Sequence, residues 1–393
     1  MRYRRFGKTG LELPVITCGG MRFQHSWNSD DQVPADSQEN VEACVRKALD
    51  LGIHHFETAR GYGTSEGQLG RVLVELPRDE IIVQTKVSPR ATVGEFVDVF
   101  EVSMSKLQLD YLDIFSFHGI NNEECLENTM RCLDQALAWK REGRIRHIGF
   151  ATHGLNDIIV KAVQTGAFES VNLHWFYVFQ DNWPAILEAR QRDMGVYIIS
   201  PNEKGGLLFK PSPKLERLTA PLHPMVFNGL FSLARPEIHS LSCGVSRPED
   251  FDIHMETADK LDQAAELVEP IERRLHQEME RVLGAEWAAT WHVGLPEWHE
   301  TPGGMNIPWI LRLRNLALAF DMLEYGKMRY NLLGNGGHWF PGYKADKLAE
   351  VDEGEVREAL KNSPHADIIP EILREAHALL DGEERKRLQR DAE

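Results

Sequence analysis

Short apolar runs rich in Val, Ile and Phe alternate with amphipathic stretches from residue 1 to about 255. The runs are Val15–Gly19, Ile53–Glu57, Ile81–Val87, Tyr111–Phe117, Ile145–Ala151, Ser170–His174, Gly195–Ser200 and Ile238–Cys243, and each reads as a strand. Between the first two, Val41, Cys44, Val45, Ala48 and Leu49 recur at i, i+3, i+4, i+7 and i+8, with Gly52 behind them. That spacing predicts a helix with a glycine stop. Ile158, Ile159, Ala162 and Val163, closed by Gly166, repeat the pattern. Eight strands alternating with helices favour an α/β fold, a (β/α)8 TIM barrel over residues 1–256, rather than an open sheet. The opening YRRFGKTGLELP predicts an N-terminal β-hairpin that caps the barrel bottom. From about 257 to 284 a charged helix leaves the barrel, and Pro270 is expected to kink or divide it. The rest is punctuated by Trp, Gly and Pro until a last helical run near 369–390, so 257–393 reads as a small α-rich appendage.

Barrel chemistry gathers at the C-terminal ends of the strands. The stretch FETARGYGTSE ends the second run and carries Glu57 and Tyr62, while Lys86 ends the third and His118 the fourth. A phenol is a poor acid at neutral pH unless a cation or hydrogen bond stabilises its phenolate. Lys86 can supply that cation, Glu57 can hold the lysine charged and in place, and His118 can orient a carbonyl oxygen towards the same phenol. Any one of these residues alone reads as packing; together, at successive strand ends, they read as a proton-transfer site.

Composition narrows the classes. The chain is 42% hydrophobic and 26% charged, and no stretch reaches the roughly 20 apolar residues of a membrane span. No signal-peptide layout opens the sequence, so the cytoplasm is the expected compartment. A net charge of −16 argues against nucleic acid and anionic membranes as partners, though not against a phosphate-bearing cofactor in a local positive pocket. The five cysteines, Cys18, Cys44, Cys125, Cys132 and Cys243, show no CxxC spacing and read as free thiols in a reducing compartment.

The residues FETARGYG, TSEGQLG, TKV, YLDIFSFHG, GRIRHIGFATHG and ISPNEKGGLL, in this order across residues 1–255, resemble the aldo-keto reductase family, whose characteristic motif is FDTAxxYG. The resemblance implies a hydride passed between a nicotinamide cofactor and a small carbonyl or alcohol substrate. It makes Tyr62 the proton donor, Lys86 the group that stabilises its phenolate, and His118 the orienter of the carbonyl. Glu57 stands where the family has aspartate and is one methylene longer. For the cofactor, the resemblance and the strand-end loops together give Met21, Arg22, Thr152, Asn172, Ser200, Pro201, Lys204, Gly205, Gly206, Leu207, Gly244, Ser246 and Arg247. Ser246 and Arg247 favour NADP(H) over NAD(H), because they can hold a 2′-phosphate. Departures accumulate here: Ile253-His254 replaces the family's Glu-Asn pair, Ala151-Thr152 its Ser-Asn, Ile199 its aromatic stacker, and Asn172 its glutamine.

Within the family the chain resembles a branch with a C-terminal ferredoxin-like domain, through GGMNIPWILRLRN and SPHADIIPEILREAH. A cluster-binding run C-x2-C-x2-C-x3-C-P would place cysteine at 291, 294, 297 and 301, and again at 353, 356, 359 and 363. The residues there are Trp291, Gly294, Glu297, Thr301, Glu353, Val356, Ala359 and Ser363. No iron–sulfur cluster is expected in 257–393. Two other readings stay open. One is a binding or regulatory protein on the same scaffold; the other is a barrel metallohydrolase using His25, His118, His153 and His174. The aromatic set Phe23, Trp27, Trp175 and Phe176 reads either as a stacking surface near the mouth or as core packing, and the segment 218–231 as a long element over the pocket.

Overall fold

The computed structural model describes residues 1–384. Two antiparallel strands, β1 (Tyr3–Arg5) and β2 (Glu12–Pro14), form the opening hairpin. Eight parallel strands follow: β3 (Ile16–Gly19), β4 (His55–Glu57), β5 (Ile82–Val87), β6 (Leu112–His118), β7 (Ile145–Ala151), β8 (Ser170–Leu173), β9 (Gly195–Ile198) and β10 (Ser240–Gly244). They close in the order β10-β3-β4-β5-β6-β7-β8-β9. Each expected run lands on one strand, with ends shifted by at most two residues. The strands alternate with α1 (Ala35–Asp50), α2 (Ser65–Leu73), α3 (Val93–Leu107), α4 (Glu123–Arg141), α5 (Asn156–Gln164), α6 (Trp183–Gln191), α7 (Pro213–Thr219), α8 (Pro224–Leu233) and α9 (Phe251–Asp259).

Period-two alternation divides each strand between two environments. On the outer face of β6, Phe115 and Phe117 meet Phe96 and Phe100 of α3 and Trp139 of α4. Phe100 and Trp139 stack with centroids 3.7 Å apart. On the inner face the character changes with height. The floor is apolar, with Phe6, Leu13, Ile82, Ile114, Tyr197 and Ile199 in one cluster. Above it the lining turns polar, and Gln84 donates to Ser116 Oγ at 2.9 Å and to Asn172 Oδ1 at 3.3 Å. The hairpin seals the floor. Gly7 has φ +53°, and a Cβ there would stand 2.4 Å from Asp193 O, so the turn that seats Phe6 requires glycine.

The chain divides into two compact units. Among the described residues, one comprises Met1–Gly205 and Met225–Ala265, and holds the barrel; the other takes Gly206–Pro224 and residues 266–384. The second unit carries α7, most of α10 (Ala264–Leu283), α11 (Ala285–Thr290), α12 (Ile307–Phe320), α13 (Leu323–Tyr330), α14 (Glu353–Ala359) and α15 (Ile369–Leu380). Pro270 does not divide its helix: α10 runs through it, and the break comes earlier, at the 3-10 turn Leu261–Gln263. Pro270 lies on the exposed face while Val268, Ile271 and Leu275 are buried. Water can therefore satisfy the carbonyl freed by the missing N–H, and the buried stripe holds the helix together. The expected long element over 218–231 is two helices, α7 and α8, separated by residues 220–223. The last helix ends at Leu380, and residues 385–390 of that expectation lie outside the described residues.

In the second unit Trp287 Nε1 donates to Asn315 Oδ1 at 3.0 Å, and Tyr330 shares a 2.9 Å hydrogen bond with His377 Nδ1. Arg312 and Arg329 each lie 5.1 Å from the Trp309 ring. Gly294 sits against the 362–363 backbone, where a Cβ would stand 2.1 Å from Asn362 O. Thr301 Oγ1 lies 2.8 Å from Trp298 O and 2.7 Å from Met305 O.

Candidate active site

The alternation that points Gln84 inward also points Lys86 inward, two residues higher on β5. Its ammonium is 1% exposed and reaches three oxygens. It forms an ion pair with Glu57 Oε1 at the end of β4, donates to Thr58 O at 2.8 Å, and lies 3.3 Å from the Tyr62 hydroxyl. It also stands 4.7 Å from the centre of the Tyr62 ring. Burial pushes the Lys86 ammonium well below the ordinary lysine range, and the touching carboxylate is what favours its charged form. Ser242 Oγ, from β10, donates to the other carboxylate oxygen, Glu57 Oε2, at 3.3 Å. The longer acid thus spans from Lys86 to the last strand of the barrel.

Tyr62 is carried by the turn between β4 and α2. Gly63 makes that turn with φ +54°, and a Cβ there would meet Ser26 O at 2.0 Å. Tyr62 is 9% exposed, and its turn is closed by the backbone links Tyr62 N–Ala59 O (3.0 Å) and Ser65 N–Tyr62 O (3.1 Å). His118, at the end of β6, stands edge-on to it, with centroids 5.8 Å apart at 88°. Tyr197 is a second phenol inside the barrel. It is fully buried at the floor, and burial pushes its pKa well up, so it stays protonated.

Glu57, Tyr62, Lys86 and His118 therefore meet at one place. A network behind them was not legible in sequence: Arg60 Nη1 donates to Glu66 Oε2 at 2.6 Å, and Thr85 Oγ1 donates to Glu66 Oε1 at 2.7 Å. This fixes the chain between Glu57 and Tyr62. Ser242 was also missed. It lies 185 residues from Glu57, and only closure of the barrel brings the two together.

The cofactor candidates fall in several places. Met21 and Arg22 form a 3-10 turn after β3, and Arg22 pairs with Glu203 at 3.1 Å. Gly244 lies beside the Arg22 side chain, whose carbons a Cβ would approach at 3.4 Å. Thr152 follows β7, buried, and its hydroxyl donates to Ile120 O at 2.6 Å. Asn172 lies in β8, one residue before its end, fully buried, with Nδ2 unpartnered. After β9, Ser200 has φ +54° and Pro201 O accepts from Asn228 Nδ2 at 2.9 Å. Lys204 lies between His153 and His174. A Cβ on Gly205 would collide with Pro201 O at 1.8 Å. Gly206 (φ +131°) and Leu207 (φ +53°) open the second unit. Ser246 and Arg247 are exposed after β10, and both backbone N–H groups donate to Asp250 Oδ2, at 2.8 and 3.3 Å.

Of the four histidines proposed as metal ligands, His153 and His174 are neighbours and His118 stands by Tyr62. Among the described residues no three His, Cys, Asp or Glu are grouped to hold a metal ion. Phe23, Trp175 and Phe176 are buried, and Trp175 stacks on Phe231 at 4.8 Å, which makes them core rather than mouth. No helix among the described residues is long and apolar enough to cross a membrane.

A closed eight-stranded barrel with this inner layer at its strand ends defines the class, and sequence comparison agrees. The model described as the Aldo/keto reductase family matches residues 15–219, and the chain belongs to that family. It is 31% identical over 169 residues to L-glyceraldehyde 3-phosphate reductase of Escherichia coli K12, covering 39% of this chain and 46% of that protein. It is 28% identical over 225 residues to L-galactose dehydrogenase of Arabidopsis thaliana, covering 53% and 68%. The chain thus spans about half the length of the first of these relatives. The fold matches aldo-keto reductase AKR11C1 from Bacillus halodurans in its holo form with TM-score 0.55 at 20% identity, covering 70% of this chain and 96% of that one.

Proposed function

We propose that the chain is a nicotinamide-dependent oxidoreductase that reduces a small aldehyde or ketone, with Tyr62 as the proton donor. The observation that carries this reading is the buried ion pair of Lys86 and Glu57, with the Lys86 ammonium 3.3 Å from the Tyr62 hydroxyl. An ammonium aimed at a phenol lowers the cost of phenolate, and a phenolate is what a proton donor becomes. The names of the two relatives, a glyceraldehyde-phosphate reductase and a galactose dehydrogenase, suit small hydroxylated carbonyl compounds.

Several features fit a dinucleotide. Asn172 Nδ2 is a buried donor without a partner, and it would meet the carboxamide oxygen. Gly205 lets the backbone after β9 fold tightly, where a side chain would collide, as close approach to a diphosphate demands. Ser200, Pro201, Gly206 and Leu207 belong to the same loop. Met21, Arg22 and Gly244 would border the cofactor at strands one and eight, Thr152 would face its nicotinamide end, and Ser246 and Arg247 would hold a 2′-phosphate, which favours NADP(H). The bound nicotinamide would supply the hydride. The chain's residues do the rest. His118 donates to the carbonyl oxygen and fixes its direction. Tyr62 Oη passes its proton to that oxygen as negative charge builds there. Lys86 stabilises the phenolate left behind, and Glu57, held by Ser242, keeps Lys86 charged and aimed.

The helical unit fits a ferredoxin-like domain without clusters. Gly294, second in one cysteine-pattern run, touches Ser363, fourth in the other. That crossing is how a run lends its fourth ligand to the other cluster in two-cluster ferredoxins. Purified protein should yield no stoichiometric iron or acid-labile sulfide.

The direct test is a screen of short aldehydes and ketones with NADPH and with NADH, wild type against Tyr62→Phe. Reduction by the wild type that survives undiminished in the variant would remove Tyr62 from the role.

A further inference from the structure

Lys204 follows β9, the seventh barrel strand, yet its ammonium is held towards the rim above the fifth and sixth. Nζ lies 3.2 Å from Nδ1 and 3.4 Å from Nε2 of His153, and 3.4 Å from Nε2 of His174. The two imidazole centroids are 4.5 Å apart. All three side chains are half-buried. Their positions are built in: Asn121 Oδ1 accepts from the His153 N–H at 2.7 Å, Asn182 Nδ2 donates to His174 O at 3.0 Å, and Gly205 fixes the loop behind Lys204.

Strand register places this trio relative to the chemistry. His118 is level with Ala151, and Ala151 with Asn172. His153 and His174 each stand two residues beyond those partners, past the ends of β7 (Ala151) and β8 (Leu173). The trio is thus one step outward from His118 and one or two strands round the rim. The expected 2′-phosphate position, at Ser246 and Arg247, lies after β10, on the far side of β9.

We propose that His153, His174 and Lys204 form a receptor for an anionic group, a phosphate or carboxylate, at the end of the carbonyl substrate remote from the reacting carbon. The proposal rests on the reductase reading, and it reassigns Lys204 from the cofactor to the substrate. Lys204 supplies an ammonium donor, and each imidazole offers a ring nitrogen that donates or accepts according to its tautomer. An ammonium flanked by two imidazoles from separate strand ends suits a tetrahedral or planar oxyanion. A substrate held by carbonyl at His118 and Tyr62 and by anion at the trio is fixed at both ends, which is where positioning gains rate.

The experiment compares matched pairs, glyceraldehyde 3-phosphate against glyceraldehyde and succinic semialdehyde against butyraldehyde, in wild type, His153→Gln, His174→Gln and Lys204→Met. Nucleotide affinity is measured in each by tryptophan fluorescence. The expected result is a wild-type kcat/KM at least about tenfold higher for an anionic member, falling about tenfold or more in the variants, with the neutral member and the nucleotide affected far less. A wild type without that preference overturns the proposal. So does a variant set that loses nucleotide affinity with the selectivity ratio unchanged, because the trio would then serve the cofactor's own phosphates. If no carbonyl is reduced by wild type, the reductase reading fails, and the anion receptor is judged by calorimetric titration with glycerol 3-phosphate. Binding lost in His153→Gln would support it, and no binding to wild type would overturn it.

Discussion

Lys86 and Glu57 are a buried pair whose members depend on each other. Removing one leaves the other charged and unpartnered in the barrel, so Lys86→Met should lower stability by about 3 to 5 kcal/mol, read by denaturant unfolding. Tyr62→Phe removes one oxygen at a side chain that is 9% exposed. It should cut kcat about 10²- to 10⁴-fold with an unchanged unfolding midpoint. Glu57→Asp tests the longer acid. Glutamate touches Lys86 with one oxygen and takes Ser242 Oγ at 3.3 Å with the other, a span that aspartate is one methylene short of. Turnover should therefore fall about tenfold or more with nucleotide affinity retained; faster turnover in Glu57→Asp would contradict a site built around glutamate. At this scale the grouping of Glu57, Lys86 and His118 was legible because each sits at or next to the end of an apolar run, and that of Tyr62 because it follows in the turn after the second run. Ser242 and Glu66 were not, since their partners are assembled by strand closure and by a turn that no local pattern encodes.

Elements act through the floor of the barrel and the joints between strands. A Cβ on Gly195 would stand 2.6 Å from the Phe6 ring, in a cluster without slack. Gly195→Ala should destabilise by about 1 to 3 kcal/mol through overpacking; an unchanged midpoint would mean that the hairpin is not seated as described. Glu169 joins α4, β7 and the start of β8. Burial works to raise its carboxyl, and hydrogen bonds from His147 Nδ1 (2.8 Å), Lys140 Nζ (2.6 Å) and Ile148 N (3.0 Å) outweigh it, bringing the pKa to about 2. Its stabilisation is present above the unfolded value near 4.5 and is lost as pH falls through about 2. Glu169→Gln should lower stability at pH 7 and flatten the acid limb in that window. Strand and helix order was readable because both sides of each strand are covered, which leaves continuous apolar runs. The place of the helix break was not: Pro270 looked like the stop, but a proline on a wet face costs one hydrogen bond, and the break falls where the buried stripe begins at Ala264.

At the scale of the whole molecule, burial holds three histidines neutral: His55 with a pKa of about 3, His239 and His254 at about 4. Each lies below the unfolded value near 6.5, so the unfolded chain binds the extra protons. Stability is complete above pH 6.5 and declines as pH falls towards 4. Thermal midpoints should begin to drop before most carboxylates titrate, and a flat profile between pH 6.5 and 4.5 would contradict the burial of these rings. The barrel was legible in eight alternating runs. The helical unit beyond 265 was legible only as α-rich, because its core is set by contacts between distant segments such as Trp287 with Asn315 and Tyr330 with His377. The central claim is that this barrel uses a nicotinamide dinucleotide. The measurement that tests it most directly is titration of the purified chain with NADPH and, separately, NADH, following tryptophan fluorescence. Saturable quenching by both or either, tighter with NADPH, is the predicted result. A folded protein that binds neither would contradict the account and leave the barrel as a binding scaffold.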